Sequence, residues 1–119
     1  MSDILNMEAG PELDRLIAEK VMGWKFVPDA IYCAIRQPCF VEESGYKRLP
    51  CDFRPSEDIS AAFHAAEEMR KRKLFLALGN DEGGYCAVFS EKMRPFQAFA
   101  ETAPLAICRA ALLAIGGTP

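Results

Sequence analysis

The residue pattern near the C-terminus places the strongest constraint on how this chain folds. Residues 105–115 contain one polar side chain, Arg109, and are otherwise apolar on every side of a helix. Thr102 precedes this segment as an N-cap, Pro104 fits its first turn, and the Gly-Gly pair at 116–117 ends it. A helix that is apolar nearly all round must be buried against more than one neighbour. We therefore expect a layered fold that encloses this helix.

Three strands are predicted directly before that helix. Residues 74–78 are apolar at every position, residues 80–84 form a strong turn signal, and residues 85–90 form the returning strand. A second turn at 92–95 leads into a third strand at 96–101. Because the first strand is apolar on both faces, the sheet needs cover on both sides. The first helix and the segment that follows it supply that cover, or a second subunit does.

Two further helices are predicted from apolar spacing. The first lies between Pro11 and Gly23, and the second begins at Ser56 as its N-cap. The apolar positions of the first helix are Leu13, Leu16, Ile17, Val21 and Trp24. Those of the second are Ile59, Ala62, Phe63, Ala66 and Met69. His64 falls opposite the second stripe, so we expect it to face solvent.

Residues 25–55 show no helical or strand period, and four prolines punctuate them. Short strands are predicted at 30–35 and 40–41, and the rest is expected to be an irregular arm that contains proline and cysteine. A length of 119 residues fits one domain that buries about two-thirds of its unfolded surface. The expected fold is a single α+β domain over residues 1–119, in the order helix–arm–helix–β–β–β–helix. Its three-stranded antiparallel meander carries packed helices in a layered sandwich.

The charge balance argues against general nucleic-acid binding. Fourteen basic and seventeen acidic side chains give a net charge of −3, whereas counterion release requires a surplus of Lys and Arg. The one dense basic run, residues 70–73, ends a predicted helix, where cations complement the helix dipole. Residues 1–10 lack an apolar run, so no signal peptide is predicted and the cytoplasm of a bacterial host is the expected location.

Few residues are candidates for chemistry. Cys33, Cys39 and Cys51 lie in the arm, but their spacing is wider than the close pairs typical of zinc sites. His64 is the single histidine, and a general base needs a positioned partner and a pocket. The adjacent pairs at 42–43 and 67–68 point apart and form no carboxylate dyad. No catalytic residue, cofactor site or metal ligand is therefore predicted.

Three segments resemble a known family. They read Glu-Lys-Val-Met-Gly-Trp at 19–24, Asp-Ile-Ser-Ala-Ala-Phe at 58–63, and Thr-Ala-Pro-Leu-Ala-Ile-Cys-Arg-Ala-Ala-Leu-Leu at 102–113. Together they are similar to the signatures of the phage ABA sandwich domain family of small phage and prophage proteins. The resemblance implies a phage-type origin and a helix–sheet–helix sandwich. It implies no reaction and transfers no functional residue.

Three hypotheses about function follow. The first is a non-enzymatic phage or prophage interaction or structural module that self-associates, with a homodimer as the simplest form. The second is a nucleic-acid-binding module, because helix, three strands and helix is similar in order to the double-stranded RNA-binding domain. Residues 102–107 lack the Lys cluster that this domain places at its final helix. The third is a metal- or thiol-dependent protein that uses Cys33, Cys39 and Cys51.

Overall fold

The computed structural model describes residues 6–115 and confirms an α+β fold with three α-helices and two three-stranded antiparallel sheets. In chain order the elements are α1 (Pro11–Leu16), a π-helical turn (Ile17–Val21), β1 (Lys25–Tyr32), β2 (Ile35–Val41), β3 (Lys47–Arg48), a 3-10 turn (Pro50–Asp52), α2 (Ile59–Lys71), β4 (Phe75–Asp81), β5 (Gly84–Glu91), β6 (Arg94–Ala100) and α3 (Ala103–Ala114). We call β1–β3 the N-terminal sheet and β4–β6 the C-terminal sheet.

The last helix, α3, lies in the interior as its composition predicted. It follows Thr102 at the N-cap, with Pro104 in its first turn. Ile107 and Leu112 are buried, and α3 contacts β5, β6, α2 and the π-helical turn. Burial against several elements explains why the helix carries apolar residues on all sides. The predicted end at 116–117 lies outside the described residues.

The predicted meander is confirmed, with strands longer than expected. β4, β5 and β6 pair in chain order. Asn80 pairs with Tyr85 and Asp81 pairs with Gly84, so the first turn contains only residues 82–83. Ala87, Phe89 and Ala98 are buried on the face that packs against α3.

Residues 25–55 are not the irregular arm that was expected. They form the N-terminal sheet, in which β1 and β2 pair from Lys25–Val41 to Tyr32–Ile35 and β3 pairs with the end of β2. The prediction of short strands at 30–35 and 40–41 captured fragments of this sheet and missed the hairpin that joins them.

The proline positions and the hairpin turn explain why the sequence pattern was misleading. Pro28 lies in the β1 irregularity between Val27 and Ala30, and Pro38 lies in the part of β2 that β3 does not reach. At neither position does a neighbouring strand require a hydrogen bond from the backbone N–H that proline lacks. The connecting turn uses Cys33 and Ala34 at φ 54° and 63°, where Asn-Gly is the usual signal.

Both N-terminal helices form, but α2 differs from its prediction. Its N-cap is Asp58, whose side chain accepts a hydrogen bond from the Ser60 amide at 3.1 Å; Ser56 lies outside the helix. Ile59 and Phe63 are exposed, contrary to the predicted stripe. The buried positions are Ala61, Ala62, Ala65 and Met69. The small alanine side chains permit α2 to pack closely in the core, where α2 contacts α3.

An aromatic cluster joins the N-terminal sheet to the helical core. The ring centroids of Trp24 and Phe53 lie 4.8 Å apart, and those of Phe26 and Phe40 lie 5.7 Å apart, both pairs in edge-on geometry. Phe40 and Phe53 also belong to the buried core that includes Leu13. This packing holds the N-terminal sheet against α1 and the π-helical turn.

Candidate functional site

His64 and both predicted acidic pairs line one open cleft of about 840 Å³ between α2 and the N-terminal sheet. The glutamates at 42–43 directly follow β2, and those at 67–68 come from α2 one turn after His64. His64 is exposed, which confirms its predicted position. This convergence could not be predicted from the local pattern, because the two pairs are separated by about two dozen residues.

The carboxylates of this cleft are largely engaged by cations. Glu42 forms an ion pair with Arg48, and Glu68 accepts a hydrogen bond from the Lys71 ammonium at 2.8 Å. The Arg48 guanidinium also lies 5.0 Å from the ring centroid of Trp24. Over residues 6–115, no group of three or more His, Cys, Asp or Glu side chains is arranged to hold a metal ion.

The basic run at 70–73 is mostly committed to partners within the chain. Arg70 pairs with Glu67, and the hydrogen bond that the Lys71 ammonium donates to Glu68 raises the pKa of Lys71. The Arg72 guanidinium donates to the carbonyls of Lys20 and Val21, at 3.2 and 2.8 Å, and so caps the π-helical turn. Three of the four cations therefore form contacts that stabilise α2 and its neighbours. The hypothesis of nucleic-acid binding is not tested by these contacts and stays a prediction.

The arm cysteines are distributed over three environments. Cys33 is exposed at the tip of the β1–β2 hairpin, Cys39 is buried in β2, and Cys51 is exposed in the 3-10 turn. All are free thiols. Cys108 is buried in α3, and this burial raises its pKa well above the ordinary value, which keeps it protonated.

One buried carboxylate fastens the N-terminal segment. Asp14 is 4% exposed, and its Oδ1 accepts a hydrogen bond from the Ser56 amide at 2.8 Å. The Ser56 hydroxyl in turn accepts a hydrogen bond from the Gly10 amide at 3.0 Å. Burial raises the pKa of Asp14. These contacts explain why Ser56 does not cap α2, and they give Asp14 a role in positioning α1.

The outer face of the C-terminal sheet is not covered by any element within residues 6–115. Side chains alternate along each strand, and the face opposite α3 carries Phe75 on β4 and Phe99 on β6. Phe75 is 51% exposed and Phe99 is 63% exposed. Of the two predicted alternatives for covering the sheet, the first helix and the arm do not cover this face, because the arm forms a separate sheet.

β4 also leaves its backbone open along one edge. The two-residue loop before Gly84 makes Asp81 and Gly84 a hydrogen-bonded pair, and such pairs alternate along the ladder. The odd-numbered residues of β4 therefore bond to β5. Leu76, Leu78 and Asn80 direct their N–H and C=O groups away from the sheet.

The other sheet edges are protected. On β6, the outward positions include Pro95, which has no N–H group, and Phe99, whose carbonyl accepts a hydrogen bond from Arg109 Nη1 at 2.8 Å. β1 carries Lys25 and Pro28, and β3 is only a Lys-Arg pair. Lysine, proline and shortness are the usual devices that prevent edge pairing. Among the described strands, β4 is the edge that lacks them over residues 75–80.

The comparisons with known proteins identify the family. The family model for the phage ABA sandwich domain matches residues 15–112. The chain belongs to the phage ABA sandwich domain family. Its fold is similar to the 2.0 Å crystal structure of a phage protein from Bacillus cereus ATCC 14579, with a TM-score of 0.69 and 20% sequence identity over 95% of this chain and 96% of that one. The search of curated proteins returned no match.

The family match places this phage ABA sandwich domain among phage proteins and agrees with the three segments quoted from its sequence. Those segments occupy the π-helical turn, the start of α2, and α3, all of which contribute to the buried core. In residues 6–115, no helix combines the length and apolar composition needed to cross a membrane.

Sequence reasoning missed the open edge of this phage ABA sandwich domain, although part of the signal was present. The apolar run at 74–78 indicated a strand with two apolar faces. Such a run fits a central strand as well as an edge strand, because hydrophobicity does not reveal strand order. The pairing pattern places β4 at the edge.

Proposed function

We propose that this protein is a non-enzymatic interaction module of a phage or prophage that self-associates through β4, in the cytoplasm of its bacterial host. The observation that carries the proposal is the combination of apolar exposure and unprotected backbone on one strand. Phe75 is 51% exposed and Leu78 is 39% exposed, and they lie on opposite faces of β4. Pairing with a second copy satisfies the open backbone and covers both side chains.

The hydrophobic core is well buried without Phe75 and Leu78, which supports β4 as the surface for self-association. The inner face of the C-terminal sheet is filled by α3, and Met69, Ile107 and Leu112 are at most 1% exposed. Burial of Phe75 and Leu78 is therefore not required for the monomer to fold. The non-enzymatic part of the proposal is supported by the His64 cleft, where cations already occupy Glu42 and Glu68.

Sedimentation equilibrium of the full chain across micromolar concentrations tests the proposal. We expect a dimer for the native sequence and a monomer for the double variant Phe75→Ser/Leu78→Ser. The matched control is Ile31→Ser/Ile35→Ser, which removes two side chains that are 56% and 62% exposed on the β1–β2 hairpin. We expect this control to remain dimeric. A native protein that sediments as a monomer throughout overturns the proposal, as does a hairpin variant that alone loses dimerisation.

A further inference from the structure

We propose that two copies pair their β4 strands antiparallel about a twofold axis that passes through Ala77. This inference rests on the proposed function and specifies its contact. The pairing joins the two C-terminal sheets into one sheet of six strands. It places Leu76 of one copy opposite Leu78 of the other, and Lys73 opposite Asp81.

Backbone geometry limits the available registers. Leu76, Leu78 and Asn80 present their N–H and C=O groups at the open edge, whereas the odd-numbered residues of β4 bond to β5. A second β4 strand must therefore match even residues with even residues. Registers that place an even residue opposite an odd one leave the edge groups unbonded and are excluded.

Side-chain chemistry distinguishes the register centred on Ala77 from the one centred on Leu78. With Ala77 on the axis, Leu76 meets Leu78 twice, and each Phe75 lies opposite a Gly79. A Cβ built on Gly79 meets nothing within 4 Å, so the space above this glycine is open to the partner's phenyl ring. With Leu78 on the axis instead, Leu76 faces Asn80 and Phe75 faces Asp81, which opposes apolar to polar side chains.

Charge complementarity favours the same register. Lys73 lies two residues before the start of β4 and Asp81 ends the strand, so the antiparallel arrangement brings them together at both ends of the contact. Both residues are exposed, and neither forms an ion pair within residues 6–115. Opposite charges on facing positions of an antiparallel pair stabilise it.

Cysteine cross-linking tests the register directly. In a background in which the native thiols Cys33, Cys51 and Cys86 are replaced, we compare Ala77→Cys with Leu78→Cys under copper–phenanthroline oxidation. Residues that face each other across an antiparallel pair have Cβ atoms roughly 5 Å apart, against roughly 7 Å for diagonal neighbours. The proposal predicts a disulfide-linked dimer for Ala77→Cys and little for Leu78→Cys.

The outcomes separate this inference from the proposed function. Cross-linking of Leu78→Cys without Ala77→Cys overturns the register. A protein that sediments as a dimer but cross-links at neither position overturns β4 pairing and leaves self-association intact. A protein that sediments as a monomer overturns both.

A charge reversal provides a second test. Lys73→Glu places like charges together twice, and we expect it to raise the dimer dissociation constant roughly tenfold at low salt. Lys92→Glu is the matched control, because Lys92 has the same left-handed backbone conformation, φ 56° against 68°, in the β5–β6 turn. Equal dissociation constants for the two variants contradict the proposed contact between Lys73 and Asp81.

Discussion

Arg109, the single polar residue of the apolar C-terminal helix, joins three parts of the structure and provides a demanding test of the fold. Its Nε donates to the Met7 carbonyl at 2.8 Å, and its Nη1 donates to the Phe99 carbonyl at 2.8 Å. Arg109→Met keeps an unbranched apolar stem and removes both hydrogen bonds. A net hydrogen bond contributes about 1 kcal/mol, and about 1.5–3 kcal/mol when one partner is charged. Because the Phe99 bond is exposed, we expect a total loss of about 2–3 kcal/mol.

Urea denaturation followed by circular dichroism measures this loss. With a dependence of about 1–3 kcal/mol per molar urea, the midpoint should fall by about 1 M. Arg70→Met is the control, because Arg70 contacts Glu67 at 3.4 Å between side chains that are 66% and 62% exposed. We expect that change to cost no more than about 0.5 kcal/mol. Both variants are measured at two protein concentrations. If they lose equal stability, Arg109 does not fasten the N-terminal segment and β6 to α3.

Three other predictions concern single sites. Burial raises the pKa of Asp14, so binding of a proton to this carboxyl group favours the folded state. The resulting contribution to the free energy of unfolding is complete below pH 3.8 and is lost as the pH rises through the folded-state pKa. Asp14→Asn should therefore gain stability relative to the native protein between acid and neutral pH in urea titrations, and a constant difference refutes the mechanism. Ellman's reagent should modify exposed Cys33 in the native protein but reach Cys108 only after unfolding; equal rates would contradict the burial of Cys108. Ala34→Gly should stabilise the hairpin by about 1 kcal/mol in thermal melts, because Ala34 has φ 63°, whereas Ala66→Gly within α2 should cost a similar amount. A loss of stability in both glycine variants would show that the turn is not strained.

Local sequence signals predicted the C-terminal half well. The apolar run of α3 required burial on several sides, and the structure encloses Ile107 and Leu112 accordingly. Turn residues near 82–83 and 92–93 defined the meander, since glycine and charged residues interrupt the apolar strands there. These features depend on neighbours in sequence, so pattern and propensity suffice to recognise them.

The N-terminal sheet depended on contacts that local patterns do not encode. Prolines at 28 and 38 argue against strands in general, yet an irregular edge and an unpaired stretch accommodate them. The buried face of α2 was likewise decided by packing: alanines face the core, while Phe63 remains 46% exposed. For the candidate cleft, the exposure of His64 followed from helical spacing, whereas its meeting with residues 42–43 required the folded chain.

By itself the sequence determined that a buried helix, a meander and two amphipathic helices form an α+β fold, because hydrophobic burial and turn chemistry act over short stretches. It also showed that the C-terminal sheet has two apolar faces. Only the tertiary structure decided which strand lies at the edge, that Pro95 and Arg109 protect the opposite edge, and that β4 stays open. Strand order and edge protection arise from hydrogen bonds between distant residues, and those bonds exist only after the chain has folded.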